Sequence, residues 1–315
     1  MNMQQISIKQ LLCPKSEAGG KFVDLFCGCG GASEGAREAG LEVVLAVDSW
    51  EDALEVHKLN HPETNHVCTD LPSDTLPLPS GRWHMHGSPP CTKVSNANQQ
   101  RNENDRFEAL NLIKWYIEFA MSSSATSWSM EQVACPVVVE FLESLKPTWS
   151  RTRFAYTIVH FQEIGVPQNR RRLIAGSPDV VARVLRLSKW RRSVRDVISK
   201  PRGTHIRNRL CQSNPVPDPS GESRFVYTRY TDDEQCAPID GPSRCVVAGY
   251  FLRWATPNSG KKLKRLSVRE TAALQCFPKS YEFHKVRTKS RTMVGNAIPP
   301  IVMYQILRGK RPAVT

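Results

Sequence analysis

Cys91 stands directly behind two prolines, Pro89 and Pro90, and ahead of a polar run, "TKVSNANQQRN", that offers a core almost nothing to bury. The two rings fix φ at consecutive positions, so the thiol is held in one orientation. That setting suits a nucleophile activated as thiolate by nearby positive charge better than a cysteine filling space in a core. Two carboxylates and a glycine turn make a second constellation. In "DLFCGCGGASEG" a short apolar run leads through Gly28 and Gly30 into a helix start, where backbone amides can face a ligand. Asp48 lies 20 residues after Gly28, at the position where a carboxylate accepts hydrogen bonds from ribose hydroxyls. Asp70, ending "NHVCTDL", is placed to face an adenine amino group. The ordered set predicts a cofactor that carries a nucleoside. A dinucleotide fingerprint would need glycine at Ser33, and its absence disfavours a nicotinamide dehydrogenase.

A third group of residues can handle protons and oxygens. Glu131 closes the apolar run "TSWSMEQV". Between Trp128 and an apolar helix it is expected to be partly buried with a raised pKa, and so able to donate a proton. In "PQNRRRLI" the residues Gln168, Arg170 and Arg172 alternate. On one strand they would share a face, and three polar groups there call for a substrate with carbonyl or phosphate oxygens.

Strands must carry these residues to one edge. "KFVDLF", "EVVLAVD", "RWHMHGS", "TSWSMEQV", "RFAYTIVHF" and "RRLIAGS" read as strands. They alternate with helical segments at "ASEGAREAGL", "SWEDALEVHKLNHP", "DRFEALNLIKWYIEFAM" (Asp105 as N-cap) and "CPVVVEFLESLK". The predicted class is α/β: a doubly wound, Rossmann-like, mostly parallel sheet, with a second, smaller, loop-rich domain. Ligands of such sheets bind at the carboxyl ends of the strands, where Gly28, Asp48, Cys91 and Glu131 all fall. After Ser177 the alternation fades and proline-rich loops appear. Further on, Ser267 and Glu270 form a capping box in "LSVRETAALQCF". The apolar "TMVGNAIPPIVMYQIL" is expected to return to the first domain. The expected boundaries are 1–182 completed by 291–315 for the cofactor-binding and catalytic domain, and 183–290 for a basic domain.

Charge follows the same division. Residues 183–290 hold 23 Lys/Arg against 9 Asp/Glu, a net of +14, whereas the rest of the 315 residues hold 20 against 21. A contiguous basic segment is the footprint of a polyanionic partner. The ten cysteines include no CxxC pair, so neither a disulfide framework nor a structural zinc is expected, and no metal is called for. No secretory h-region and no membrane-long apolar stretch is present; a soluble, intracellular protein is expected, in a prokaryotic cytoplasm, a virus-infected cell or a nucleus.

Taken in order, these pieces resemble the cytosine-5 methyltransferase family from Phe22 to about Leu307. "DLFCGCGG" is similar to its first cofactor motif, "GSPPC" to its nucleophile motif and "QNRRR" to its Gln-x-Arg-x-Arg motif. "RLSVRETAALQCFP" resembles the motif that closes the recognition domain, and "GNAIPP" the last motif. "EQV" stands where the family has Glu-Asn-Val, so Gln132 is a departure that bears on how the neighbouring loop is held. The resemblance implies S-adenosylmethionine, leaving as S-adenosylhomocysteine, held by Phe26, Gly28, Gly30, Asp48, Asp70 and Pro90 with Asn296 nearby. It implies Cys91 as nucleophile, Glu131 on the ring nitrogen N3, Arg172 on the base carbonyl and Arg170 ordering the site. The partner would be double-stranded DNA, bound by a monomer, with a cytosine flipped out of the stack. Substrate contacts would come from Gln168, from Ser95 in the polar loop, and from Arg224, Arg229, Arg244 and Arg253 in the basic segment. The nearest rival on the same fold is an RNA cytosine-5 methyltransferase, whose tRNA-directed branch carries a Cys-Phe-Thr signature in its recognition region. Here "CFP" belongs to the closing motif instead, which favours DNA. A binding protein without activity is disfavoured by Cys91, Glu131 and Arg172 standing together.

Overall fold

The computed structural model describes residues 20–73, 75–90, 103–145, 154–202, 205–208, 236–249, 252–255, 265–310 and 312. The chain divides into two units. One comprises Met1–His160, Arg171–Lys189 and Ile298–Thr315; the other comprises Phe161–Arg170 and Trp190–Ala297.

The first unit is built on a seven-stranded sheet. Its strands are β1 (Lys21–Leu25), β2 (Glu42–Asp48), β3 (Asn65–Cys68), β4 (Trp83–Gly87), β5 (Ser127–Val133), β6 (Ala155–His160) and β8 (Arg171–Gly176). The order is β3-β2-β1-β4-β5-β8-β6. All neighbours run parallel except β8, which is antiparallel to both β5 and β6. The mostly parallel α/β sheet expected from the strand–helix alternation is present. The chain winds outward from β1 to β3 and then returns to lay β4 against the other side of β1. The crevice of a doubly wound sheet opens at this reversal, at the carboxyl ends of β1 and β4. Central strands buried on both faces need apolar or fully paired residues. Accordingly β4 is buried throughout, and β5 through Gln132.

Helices α1 (Gly31–Glu38), α2 (Glu51–Asn60), α3 (Glu103–Ser122), α4 (Pro136–Leu145) and α5 (Pro178–Leu185) cover the sheet. The core joins Val23, Leu25, Val47, Met85 and Met130 to Ile113, Tyr116 and Ile117 of α3 and to Val138 and Leu142 of α4. Helix α3 starts at Glu103, so Asp105 is not its N-cap but an acidic residue of the first turn, where it complements the helix dipole. A last helix, α9 (Pro300–Arg308), packs on α1. A Cβ on Gly35 would strike the Pro300 carbonyl and Met303, so the two helices approach closely only because that position is glycine.

The second unit holds α6 (Val194–Val197), α7 (Val268–Leu274) and α8 (Arg287–Asn296). A three-stranded sheet orders β10 (Cys236–Pro238), β9 (His205–Asn208) and β12 (Leu252–Ala255), and a two-stranded one pairs β11 (Ser243–Arg244) with β7 (Gln168–Asn169). The Ser267–Glu270 capping box is formed as the sequence predicts. Among the described residues no helix is long and apolar enough to cross a membrane.

Candidate active site

At the end of β1 the backbone turns sharply. Phe26, Gly28 and Gly30 take left-handed φ of 58°, 52° and 91°, and Gly30 caps α1. A Cβ at Gly28 would meet nothing within 4 Å, so the turn faces open space. The Gly28 amide donates to Asp48 Oδ2 and the Trp50 amide to Asp48 Oδ1, both at 2.8 Å. Asp48 therefore ties the turn after β1 to the turn after β2. Each of its oxygens accepts at least one backbone amide. Burial pushes the Asp48 carboxyl up, while the amides of Trp50, Gly28 and Ser49 draw it down and the charge of Asp70 adds to the rise. Asp70 itself is exposed. An open glycine turn at a helix N-terminus, with two neighbouring carboxylates, fits a ligand bearing a ribose and a cationic or amino group.

The corner after β4 is tied down on several sides. Ser88 donates its amide to Leu25 O at 3.2 Å, and its hydroxyl lies 3.0 Å from His86 Nε2. Pro89 is buried and accepts at its carbonyl from Gln132 Nε2 at 3.0 Å; Pro90 is exposed. Cys91 and Ser95 lie outside the described residues, as do Arg224 and Arg229. Among the described cysteines, Cys27 and Cys29 are buried beneath the glycine turn. Burial raises the Cys27 thiol well above its ordinary value and Cys29 to about 12. Neither can supply a thiolate near neutral pH.

Glu131, near the end of β5, is buried as expected. Its Oε1 is 2.8 Å from Arg172 Nε. The antiparallel register of β5 and β8, which sets Val133 opposite Arg172, brings the two together. Arg172 also donates from a terminal nitrogen to the Arg171 carbonyl at 2.8 Å.

Gln168, Arg170 and Arg172 do not share one strand face. The Arg170 amide bonds back to the Gln168 carbonyl at 2.9 Å, and this tight turn breaks the run into β7 and β8. Arg172 goes to Glu131, while Gln168 and Arg170 stay in the second unit. Gln168 is buried and its amide is spent on the chain: it donates to Leu274 O and Gln275 Oε1 and accepts from the Val246 amide. Arg170, also buried, donates to the carbonyls of Val246, Gly295 and Ala297 at 3.0–3.3 Å. Both side chains thus tie segments of the second unit together. Asn296, exposed, ends α8 in the second unit. Its neighbour Gly295 must lack a side chain because the backbone of Ala248 lies against it. Arg244 on β11 and Arg253 on β12 are half-buried.

Sequence reasoning passed over a row of polar side chains inside the sheet. His84 joins Ser127 and Ser129, and His86 joins Ser129 and Ser88, at 2.8–3.0 Å. Burial holds His84 down to about 3 and His86 well below its ordinary value, so both imidazoles are neutral. The alternation His84-Met85-His86 against Ser127-Trp128-Ser129 was the available signal, because parallel strands in register place these residues side by side. Gln275 was also missed. Fully buried, it accepts from Gln168 and donates to Val294 O and Ala297 O.

Comparison with known proteins agrees with this layout. The family model for C-5 cytosine-specific DNA methylases matches residues 20–178 and 189–309. The chain belongs to that family. The methylase is 27% identical over 304 residues to the Type II methyltransferase M.HgiDI of Herpetosiphon aurantiacus, covering 89% of this chain and 90% of that one. It is 26% identical to M.HindV of Haemophilus influenzae, covering 89% and 92%. Among solved structures, DNMT2 of Spodoptera frugiperda, a triple mutant, superposes with a TM-score of 0.59 over 92% of the methylase and 99% of that chain. At 19% identity this likeness is one of fold.

Proposed function

We propose that the methylase transfers a methyl group to carbon 5 of a cytosine in double-stranded DNA, with Cys91 as covalent nucleophile. The supporting observation is convergence: the open glycine turn with Asp48, the Pro89-Pro90 corner that precedes residue 91 in the sequence, and the Glu131–Arg172 pair all stand at the carboxyl edge of one sheet. The Type II relatives, the match to a DNA methylase model and the basic segment 183–290 favour DNA, in the setting of restriction–modification.

Carbon 5 of cytosine is too electron-poor to take a methyl cation directly. The Cys91 thiolate adds to carbon 6, and Glu131 protonates or hydrogen-bonds N3 as electron density moves onto the ring, leaving carbon 5 an enamine carbon. Such covalent catalysis divides one hard step into easier ones. Arg172 holds the Glu131 carboxyl in place and contacts the base carbonyl. Phe26, Gly28, Gly30, Asp48, Asp70 and Pro90 would hold S-adenosylmethionine, which would supply the methyl group and leave as S-adenosylhomocysteine; Asn296 is a further candidate contact. Loss of the carbon-5 proton then breaks the sulfur–carbon bond and frees Cys91. Phosphate contacts from the basic segment supply affinity, and Arg224, Arg229, Arg244 and Arg253 are its candidates for reading bases, with Ser95 a further candidate substrate contact.

The test is incubation of purified protein and S-adenosylmethionine with duplex DNA and, separately, with RNA, followed by bisulfite sequencing. Protected cytosines in one short DNA sequence are expected. Protection in RNA alone would overturn the assignment of substrate.

A further inference from the structure

Gln132 stands one residue beyond Glu131, and neighbouring residues of a strand point to opposite faces. Glu131 goes to Arg172, whereas Gln132 crosses to the corner after β4. The two prolines there cannot donate hydrogen bonds, so the ladder of β4 cannot continue through them. The Pro89 carbonyl is nevertheless buried and needs a donor. Gln132 Nε2 supplies it at 3.0 Å, while Gln132 Oε1 accepts from the Val133 amide at 2.8 Å. One end of the amide is thus fixed to the end of β5 and the other to the residue two before Cys91. The side chain is fully buried, and the second contact leaves the amide a single orientation. Ser88 is fixed independently, through Leu25 and His86.

We propose that Gln132 is a positioning residue that sets the separation between the Cys91 corner and the Glu131 carboxylate. The inference rests on the methyl-transfer reading. In that reaction the sulfur must reach carbon 6 while the carboxyl reaches N3 of the same ring, so the two groups need a fixed spacing. The Pro89 carbonyl, two residues before Cys91, and the Glu131 carboxyl are held through adjacent residues of one strand, and the length of the Gln132 side chain sets the offset. A displacement of about 1 Å in such a pair can cost on the order of 100-fold in rate. Gln132 touches neither substrate nor donor and acts through the Pro89 carbonyl.

The experiment is single-turnover methyl transfer from labelled S-adenosylmethionine to duplex DNA, with both saturating, alongside binding constants for donor and DNA. Gln132→Met keeps length and burial but removes the amide. It is expected to slow transfer about 10- to 100-fold while both binding constants stay within twofold. Gln132→Asn keeps the amide, withdrawn by one carbon, and is expected to fall between Gln132→Met and the wild type. A rate within twofold of wild type in folded Gln132→Met overturns the proposal. So does a loss of donor affinity that matches the loss of rate, since Gln132 would then merely pack under the cofactor turn. If Gln132→Met does not fold, Gln132→Asn decides by the same comparison. Wild type that transfers no methyl group to DNA would instead refute the functional reading.

Discussion

Glu131 is buried and meets the Arg172 guanidinium at 2.8 Å, and that pairing defines what its replacement should do. Glu131→Gln keeps size and burial but removes the proton-handling group and the charge opposite Arg172. It is expected to lower the rate of methyl transfer by ~10²–10⁴, the usual contribution of general acid–base help, with donor affinity unchanged; near-normal turnover at saturating DNA would exclude the role. The types and order of these residues were legible in the sequence because chemistry restricts them: a thiol, a carboxylate, an arginine and glycines in a turn. Gln168 and Arg170 were harder to read. Most of their partners are backbone groups, among them the carbonyls of Val246, Leu274, Gly295 and Ala297, and one carbonyl looks like any other in a sequence. An alternating polar pattern suggested a substrate-facing strand, whereas the i-to-i+2 bond at Arg170 turned the pair into the second unit.

The strand that leads to the nucleophile corner owes its last residue to a close approach. Gly87 ends β4, and a Cβ there would run into the Tyr116 ring, whose hydroxyl is fixed to the Ser129 carbonyl at 2.8 Å. Tyr116 cannot swing away without breaking that hydrogen bond. Gly87→Ala should therefore destabilise the fold by roughly 1–3 kcal/mol, the range for overpacking, measurable by denaturant unfolding; an unchanged midpoint would contradict the packing described. The alternation of strands and helices in the first half was readable from apolar runs and their glycine and proline boundaries. The reversal that puts β4 beside β1, and the antiparallel insertion of β8, were not. Both depend on pairings between segments far apart in the chain, which local periodicity cannot encode.

Across the molecule, two distributions of charge make separate claims. Buried histidines form the first. Burial lowers His57 and His86 well below the ordinary value, His61 to about 4 and His84 to about 3. A group whose folded pKa is depressed costs stability as pH falls from its unfolded value, about 6.5, toward the folded one. Each contributes a slope of about 1.4 kcal/mol per pH unit inside that window. Asp24 acts with the opposite sign: burial raises it to about 7, so its contribution is present in acid and fades as pH rises. Asp48 and Glu38, also raised by burial, act as Asp24 does, and His66 is lowered with the other rings; five histidines outweigh three carboxylates, and the thermal midpoint should climb between pH 4 and pH 6.5, less steeply in His84→Gln. A midpoint independent of pH in that range would contradict the buried, neutral state of these rings.

The basic segment makes the second claim. If residues 183–265 read the target, exchanging them for the matching region of a relative with another specificity should exchange the sequence methylated. An active chimera that keeps the relative's own specificity would refute this. The central claim, that Cys91 attacks the base, is tested most directly by trapping. Fluorine at carbon 5 cannot leave as a proton does, so duplex DNA containing 5-fluorocytosine should halt the reaction at the covalent stage. With S-adenosylmethionine present, peptide mass spectrometry is expected to find the DNA attached at Cys91 in the wild type and no adduct in Cys91→Ser. An adduct at any other residue, or one that persists in Cys91→Ser, would contradict the account.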